Sequence, residues 1–202
     1  MAEKDVHYYE PAKGHGLKHD PFNAIIAPRP IGWISSRDAK GNVNLAPYSF
    51  FNAFCYVPPI VGFSSTNWKD SVANIEETKE FCWNLATMAL AKQMNATAAH
   101  VGRDVDEFKL AGLTAAPSRL VNVPRVAESP VSFECRLSQV IQLQGADGRK
   151  AEAWLRSAKS LPSTSTRSSS RTESTRPRSR IRSCVRDGAA IISRSARRTC
   201  SR

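Results

Sequence analysis

The sequence predicts a mainly β domain with flanking helices. Three observations predict it: a hairpin pattern over residues 31–46, a period-two apolar pattern over residues 131–137, and short apolar runs separated by helical segments. Residues 1–155 precede an abrupt change of composition. A stretch of this length is near the common domain size and can bury one substantial core.

The predicted hairpin comprises strands over residues 31–36 and 43–46, joined by a DAKGN turn at residues 38–42. The first strand is rich in β-branched and aromatic residues, and the turn offers a glycine for a positive φ angle. Because side chains alternate along a strand, Ser35 and Ser36 point to opposite faces. We expect a flat ligand lying against this hairpin to meet backbone groups at its edge and hydroxyls beside it.

A hydroxyl-rich segment follows. Residues 60–63 predict a short apolar strand, and a helix is predicted over residues 69–77. The start of a helix presents unpaired amide donors and the positive end of the dipole, which suits a phosphate group. The alternative interpretation is that Asp70 or Ser71 caps the helix and Lys69 is a solvated charge. Neither a P-loop nor a GxGxxG motif occurs in the chain.

Several separated motifs resemble one family in their order along the chain. Residues 28–71 contain PRPIGWIS, then NLAPYSFFN, then FSS followed by KDS, and the likeness continues at residues 80–84, 104–113 and 128–136. Over residues 20–155, the chain resembles the flavin reductase-like family of FMN-binding split barrels, in the flavoredoxin-like branch. The resemblance implies an FMN-binding split β-barrel of Greek-key type with flanking helices. It also implies a homodimer whose interface helps to form the flavin site.

The resemblance implies twelve cofactor-binding residues. They are Ser35 and Ser36 at the ring system, Asn44, Ala46, Pro47, Tyr48 and Ser49 along the ring and ribityl chain, and Ser64, Ser65, Lys69, Asp70 and Ser71 at the phosphate. Core packing is the alternative for Trp33 and Tyr48, because large aromatic residues often serve that purpose. Phe50, Phe51 and Phe54 are expected in the core or at a subunit interface.

The activity implied by the resemblance is oxidoreduction, in which NAD(P)H reduces the flavin and electrons pass to an unidentified acceptor. A flavin accepts hydride at its own ring nitrogen, so no catalytic side chain is required. A flavin-holding electron carrier without a nicotinamide site is the alternative. No G-x-S-x-G motif is present. Gly14 and Gly16 argue against a helical metal pair at His15 and His19, so no metal site is predicted.

Further elements follow from local patterns. Strands are predicted near Phe81, Val131 and Ala151, and helices over residues 87–98 and 104–110, the latter starting with a cap-like Asp104 and Glu107 pair. Alternation from Val131 to Leu137 directs Glu134 and Arg136 toward water or a partner. The apolar residues Val140, Ile141 and Leu143 break that alternation, which predicts a β-bulge.

The charge of the chain is concentrated at one end. Residues 1–155 contain 16 basic and 16 acidic residues, whereas residues 156–202 contain 13 and 2, so the whole net charge of +11 lies in the second segment. That segment has 13 serines and 12 arginines among 47 residues. Such a composition buries too little apolar surface to offset the entropy of ordering, so residues 156–202 are predicted to be a disordered tail. The chain is therefore divided into an N-terminal arm at 1–20, a domain at 21–155 and this tail.

Two explanations of the tail stay open. It is either a genuine Ser/Arg-rich arm that binds RNA or another polyanion by neutralising phosphates, or the product of a reading-frame slip near Leu155. We favour the slip, because the strand pattern that begins at residues 151–155 stops where the composition changes. Serine, threonine and arginine codons of GC-rich DNA, read one base off, also give the valine, aspartate and alanine of the missing strand. Loss of that strand would leave an open sheet edge, an incomplete core and an inactive chain.

Cysteine usage and the amino terminus favour the cytoplasm. Five cysteines form no C-x-x-C pair, and Cys82 and Cys135 are expected as buried hydrophobes. Glu3, Lys4 and Asp5 do not fit the start of a secretion signal. The apolar stretch at residues 50–63 is shorter than the roughly 20 residues that a spanning helix needs, so no membrane partner is expected.

Overall fold

The computed structural model describes residues 6–165, with side chains described as far as Leu161. The strands are β1 (Gly32–Arg37), β2 (Val43–Tyr48), β3 (Phe51–Tyr56), β4 (Pro59–Thr66), β5 (Glu80–Asn84), β6 (Ala115–Ala116), β7 (Arg125–Val126), β8 (Val131–Gln144) and β9 (Lys150–Ser165). The helices are α1 (Phe22–Ile25), α2 (Asp70–Thr78), α3 (Ala91–Ala96) and α4 (Glu107–Leu110), with short 3-10 turns at Pro11–Lys13 and Met88–Leu90.

Seven strands form one antiparallel sheet in the order β2-β1-β5-β8-β9-β4-β3. Strand β9 therefore joins the β2-β1-β5-β8 half to the β4-β3 half. The predicted hairpin is confirmed, since β1 pairs with β2 from Gly32 opposite Tyr48 to Arg37 opposite Val43. Strands β6 and β7 form a separate two-stranded sheet.

All seven strands of the sheet enclose one main core, which confirms a mainly β fold of the barrel type. Every one of the seven strands contributes a buried side chain to it: Ile34, Tyr48, Phe51, Phe63, Phe81, Cys135 and Ala158, with Ile75 from α2. Aromatic contacts tie the strands together, with the ring centres of Tyr48 and Phe63 4.5 Å apart and those of Phe51 and Trp83 5.5 Å apart. Helix α2 lies against β1 and β2 on this core.

A second core lies on the opposite face of the hairpin. Its buried members are Trp33, Leu45, Leu90, Phe108, Leu113 and Val126. The indole of Trp33 is fully buried and donates to Thr97 Oγ1 at 3.0 Å, so core packing is the role of this residue. The side-chain alternation of β1 thus divides its residues between two cores.

Strand β9 corrects the expectation of disorder from residue 156. The strand continues through Ser165, with Arg156 opposite Phe63 of β4 and Val140 of β8. Backbone hydrogen bonds to a neighbour on each side hold a strand whatever its side chains, which is why a polar sequence is ordered here. The expected open edge and incomplete core are wrong for residues 156–165. Residues 166–202 lie outside the described part of the chain, and the frame slip stays a prediction.

Strand β3 was not predicted, because its FNAFCY sequence reads as part of one apolar stretch with β4. The two strands form a hairpin with Phe51 opposite Phe63 and Tyr56 opposite Pro59. Of the phenylalanines assigned to core or interface, Phe51 is buried while Phe50 and Phe54 are exposed. The predicted bulge is confirmed as a register shift between Leu137 and Gln139.

Two local predictions are wrong in detail. Helix α4 starts at Glu107 and is capped by Asp106, whose carboxylate accepts from the N–H groups of Phe108 and Lys109, so Asp104 is not the cap. Glu134 does not face water, since its side chain is buried and its carboxylate accepts from the N–H groups of Arg119 and Leu120. Those loop amides compensate its charge, and nothing in the local sequence indicates them.

In the part of the chain that the structure describes, none of the helices has the length and apolar character needed to cross a membrane.

Candidate functional site

The hydroxyls of β1 are built into the interior. Ser35 is fully buried, donates to the carbonyl of Pro124 at 2.7 Å and accepts from Asn84 Nδ2 at 3.2 Å. Ser36 is also buried and accepts from Asn74 Nδ2 of α2 at 3.3 Å. Their side chains therefore have protein partners on two different faces.

The accessible edge of the hairpin lies on β2 and not on β1. Strand β1 pairs with β2 along its whole length and with β5 from Trp33 to Ser35, so its backbone is in the interior of the sheet. The edge strand of this half is β2, which carries Asn44 to Tyr48. Among the predicted residues of this segment, Ala46 and Pro47 are half-buried and Ser49 is exposed.

Asn44 and Ser71 are brought together by the packing of α2 on β2. Ser71 Oγ donates to Asn44 Oδ1, and Asn44 Nδ2 donates to Glu107 Oε1 at 2.7 Å. Glu107 also accepts from the Leu45 N–H at 3.1 Å, and its burial raises the pKa of the carboxyl above its usual value. This chain of contacts fixes the start of α2 against the barrel.

The start of α2 is not capped by a side chain, so the capping interpretation of Asp70 and Ser71 is wrong. Lys69 occupies the cap position without a side-chain bond to the helix. The Asp70 carboxylate lies 3.6 Å from Arg103 Nη1, and Ser71 points to Asn44. The start of this nine-residue helix therefore has no side-chain cap on its amide donors.

Tyr48 lies beside this helix start with its hydroxyl unsatisfied. The residue is 6% exposed, and within the described residues its Oη has no hydrogen-bond partner. Burial raises the pKa of the phenol, which the nearby hydroxyls of Ser71 and Ser65 and the charge of Arg156 partly oppose. Neither hydroxyl has the geometry of a hydrogen bond to Oη. Lys69 Nζ lies 6.0 Å from the centre of the Tyr48 ring.

The other predicted phosphate residues lie at the end of β4. Ser65 is 2% exposed, and its Oγ lies 3.3 Å from the carbonyl oxygens of Thr66 and Asn67. Ser64 is half-buried on the neighbouring position. Ser65 and Ser71, which the resemblance assigns to the phosphate, both lie near Tyr48, which it assigns to the ring and ribityl chain.

Arg156 is a candidate site residue that sequence reasoning did not identify. Its side chain is fully buried, and Nη1 donates to the Trp154 carbonyl at 3.0 Å. In the described part of the chain, Nε and Nη2 have no hydrogen-bond partner. Burial lowers the pKa of the guanidinium. Because the residue lies in the segment that composition assigns to a disordered tail, only its pairing opposite Phe63 reveals it.

These observations test whether the residues fit a phosphorylated cofactor. The set Tyr48, Ser65, Lys69, Ser71 and Arg156, here called the Tyr48 cluster, contains three hydroxyls and two cations beside an open helix start. Buried donors without partners are costly unless a ligand satisfies them. The donor set is suited to an oxyanion, and it fits a phosphate group.

Comparison with known proteins identifies the family of this chain. The model of the flavin reductase like domain family matches residues 26–148. An uncharacterized protein of Aquifex aeolicus is 39% identical over 122 residues, which are 58% of this chain and 62% of the relative. The chain spans less than two thirds of the length of such relatives. For a Deinococcus radiodurans protein, it covers 65% of the length of that relative.

Solved structures share the fold. Nitrilotriacetate monooxygenase component B from Bacillus cereus superposes with a TM-score of 0.71 at 27% identity, covering 80% of this chain and 82% of that chain. Flavoredoxin of Desulfovibrio vulgaris superposes with a TM-score of 0.60 at 19% identity, covering 69% of this chain and 70% of that chain. The split barrel, the ordered motifs and the family match lead to one conclusion: this chain belongs to the flavin reductase-like domain family.

Proposed function

We propose that this chain binds FMN and acts as a flavin reductase-type oxidoreductase that passes electrons from NAD(P)H to flavin and on to an acceptor. The observation that carries the proposal is the Tyr48 cluster, where buried donors without partners meet the open start of α2. Family membership supplies the reaction class.

The residues of the chain bind and orient in this scheme. The Tyr48 cluster holds the phosphate, and the open edge of β2 from Asn44 to Tyr48 offers backbone groups to the ring and ribityl chain. Ser36 and Asn44 act through α2, because their bonds to Asn74 and Ser71 hold the helix in place. When bound, the flavin accepts hydride at its own ring nitrogen, which is the redox chemistry that the protein itself lacks.

Flavin binding and NAD(P)H turnover are tested separately. We expect FMN fluorescence to be quenched on titration with the purified protein, and NADH or NADPH oxidation to accelerate when FMN is added. Protein that quenches FMN without accelerating either oxidation would support the electron-carrier alternative. Absence of quenching would overturn the whole proposal.

We further propose a homodimer. The β3–β4 hairpin presents apolar side chains to solvent, with Phe54 56% exposed, Tyr56 94% and Val57 88%. An exposed apolar patch on a sheet edge is typical of a protein interface. Sedimentation velocity on the wild type and on Tyr56→Lys tests the proposal, and a wild-type monomer at micromolar concentration would contradict it.

We also propose a cytoplasmic location, and polyanion binding by the tail if the tail is genuine. Cys55, Cys82 and Cys135 are free thiols, which suits the cytoplasm. Polyanion binding rests on residues outside the described range. Salt-sensitive RNA binding by the full chain, absent after truncation at Ser165, is the result that would support it.

A further inference from the structure

Trp68 is the exposed member of the four tryptophans of this chain. The residue is 56% exposed, whereas Trp33 is buried and Trp83 and Trp154 are half-buried. It lies in the short segment between the end of β4 and the first turn of α2. Single exposed apolar residues are common on folded domains, so the neighbours of Trp68 decide whether its ring is a binding surface.

The ring of Trp68 is held in a fixed position. Trp154 of β9 meets it edge to face, with ring centres 5.7 Å apart and ring planes at 89°, an arrangement that aromatic pairs prefer. The preceding Asn67 has a left-handed backbone with φ 63°, and its N–H donates to the carbonyl of Glu152 at 3.0 Å, which ties the segment to β9. Arg156 Cζ lies over the ring, 5.5 Å from its centre. Trp68 and Trp154, here called the tryptophan platform, thus present a rigid aromatic surface to solvent.

The tryptophan platform adjoins the Tyr48 cluster. Trp154 lies opposite Ser65 in the pairing of β9 with β4, and residues opposite each other in an antiparallel pair direct their side chains to the same face. Lys69, the next residue after Trp68, places its Nζ 6.0 Å from the centre of the Tyr48 ring. Both tryptophans precede residue 156, so the platform belongs to the chain whatever the origin of the tail.

We propose that the tryptophan platform stacks the adenine ring of a dinucleotide, which arrives either with the flavin, as FAD, or with the NAD(P)H co-substrate. FMN ends at its phosphate. In FAD a second phosphate and an adenosine follow that phosphate, and NAD(P)H carries the same adenosine on a diphosphate. A fixed and exposed indole is suited to stacking a base through its π-face. The inference rests on the proposed flavin binding and adds to it a residue pair and the part of the ligand that the pair contacts.

The first arm of the test compares FAD with FMN by equilibrium dialysis of the full chain, with flavin absorbance as the readout. We expect Trp68→Ala to weaken FAD binding roughly 5- to 150-fold, the loss that base stacking on an aromatic side chain implies, and to leave FMN affinity within about twofold. Trp68→Phe keeps an aromatic face and is expected to retain most of the FAD affinity. Tyr8→Ala, which removes an aromatic ring that is 80% exposed on the N-terminal arm, is the matched control and is expected to bind both flavins like the wild type.

The second arm compares NADH and NADPH with reduced nicotinamide mononucleotide, which lacks the adenylate, at saturating FMN. Where the co-substrate supplies the adenine, Trp68→Ala is expected to raise the KM of the dinucleotide by the same factor without changing kcat. The reason is that stacking remote from the hydride contributes equally to binding of the substrate and of the transition state. The KM of the mononucleotide is expected to stay unchanged. A loss confined to FAD assigns the platform to the flavin, and a loss confined to NADH or NADPH assigns it to the co-substrate.

Three results would overturn the inference while leaving the proposed function intact. They are unchanged FAD affinity and dinucleotide KM in Trp68→Ala, an equal loss of FMN and FAD affinity, and dissociation of a wild-type dimer by Trp68→Ala in sedimentation velocity, which would show that a second copy covers the ring. Wild-type protein that binds FAD but not FMN would contradict the proposed FMN binding and support the platform. Wild-type protein that binds neither flavin and does not oxidise NADH or NADPH would overturn both proposals.

Discussion

Two buried polar clusters in this barrel differ in whether their hydrogen bonds are complete. In the Asn84 cluster, Asn84 Nδ2 donates to the Trp33 carbonyl and Ser35 Oγ, while its Oδ1 accepts from the Val126 N–H and Ser132 Oγ at 2.9 Å each. In the Tyr48 cluster, three buried donor atoms have no partner in the described chain.

The difference separates structure from binding. All four hydrogen-bond positions of the Asn84 amide are used inside the protein, so this cluster specifies how β1, β5, β7 and β8 meet. Apart from the exposed Lys69, the Tyr48 cluster is also buried, but it has donor atoms without a partner in the described chain. Its stability is therefore expected to depend on a ligand, and that of the Asn84 cluster is not.

The largest effect is expected from a truncation that removes the carboxyl-terminal part of β9, which carries Arg156. Truncation after Leu155 deletes Arg156 and the buried Ala158, and with them the pairing of residues 156–159 with Ile60 to Phe63 of β4. We expect no cooperative unfolding transition by circular dichroism, and no FMN binding. Truncation after Ser165 keeps the strand and is expected to retain both. A folded, flavin-binding 1–155 fragment would contradict the role of β9.

Asn84→Leu breaks the complete cluster. The substitution leaves the Val126 N–H and the hydroxyls of Ser35 and Ser132 without their amide partner, so the free energy of unfolding is expected to fall by about 3–5 kcal/mol. Urea denaturation measures the loss. FMN is expected to raise the free energy of unfolding of Asn84→Leu by the same amount as that of the wild type. A larger rise would show that the Asn84 cluster also responds to the ligand.

Gly62→Ala tests how closely β4 approaches β9. A Cβ at Gly62 would lie 2.7 Å from the Arg156 carbonyl oxygen, so the strands must separate next to the Tyr48 cluster. We expect the free energy of unfolding to fall by about 1–3 kcal/mol and FMN binding to weaken. Gly148→Ala, in a turn with φ +78° and open space around the new Cβ, is the control for backbone strain alone. It is expected to leave FMN affinity unchanged.

The smallest effect is the pH dependence of Glu107, which joins the Tyr48 cluster to α4 through Asn44. Because burial raises the pKa of this carboxyl, the folded state binds the proton more tightly than the unfolded state. Its contribution to stability is therefore present below pH 4.5, the ordinary value, and is lost as pH rises through the higher pKa of the folded state. Glu107→Gln is expected to reduce this loss of stability with rising pH. Parallel urea midpoints of the two proteins across this range would contradict the prediction.

Much of the barrel could be predicted from sequence because its signals are local. The alternation over β1 and β2, the helix start at α2 and the bulge of β8 each follow from neighbouring residues. Strand β9 beyond Leu155 could not be predicted, because it is held by backbone bonds to β4 and β8 rather than by an apolar pattern.

The candidate site shows the same division. Motif order indicated Tyr48, Ser65 and Ser71, which the fold brings together. It could not show that Ser35 donates to Pro124, 89 residues away, or that Arg156 enters the same cluster, because both depend on long-range pairing. Glu134 was misplaced for a similar reason, since the amides that compensate it lie in a distant loop.

The position of β9 in the sheet also determines when the cofactor can be held during synthesis. Chains leave the ribosome amino terminus first, and β9 is the last of the described strands to emerge. Until it inserts between β8 and β4, the nascent chain has Tyr48 but neither a joined sheet nor the guanidinium. Flavin capture is therefore expected to be a late, essentially post-translational event, and earlier intermediates must avoid aggregation without help from the cofactor.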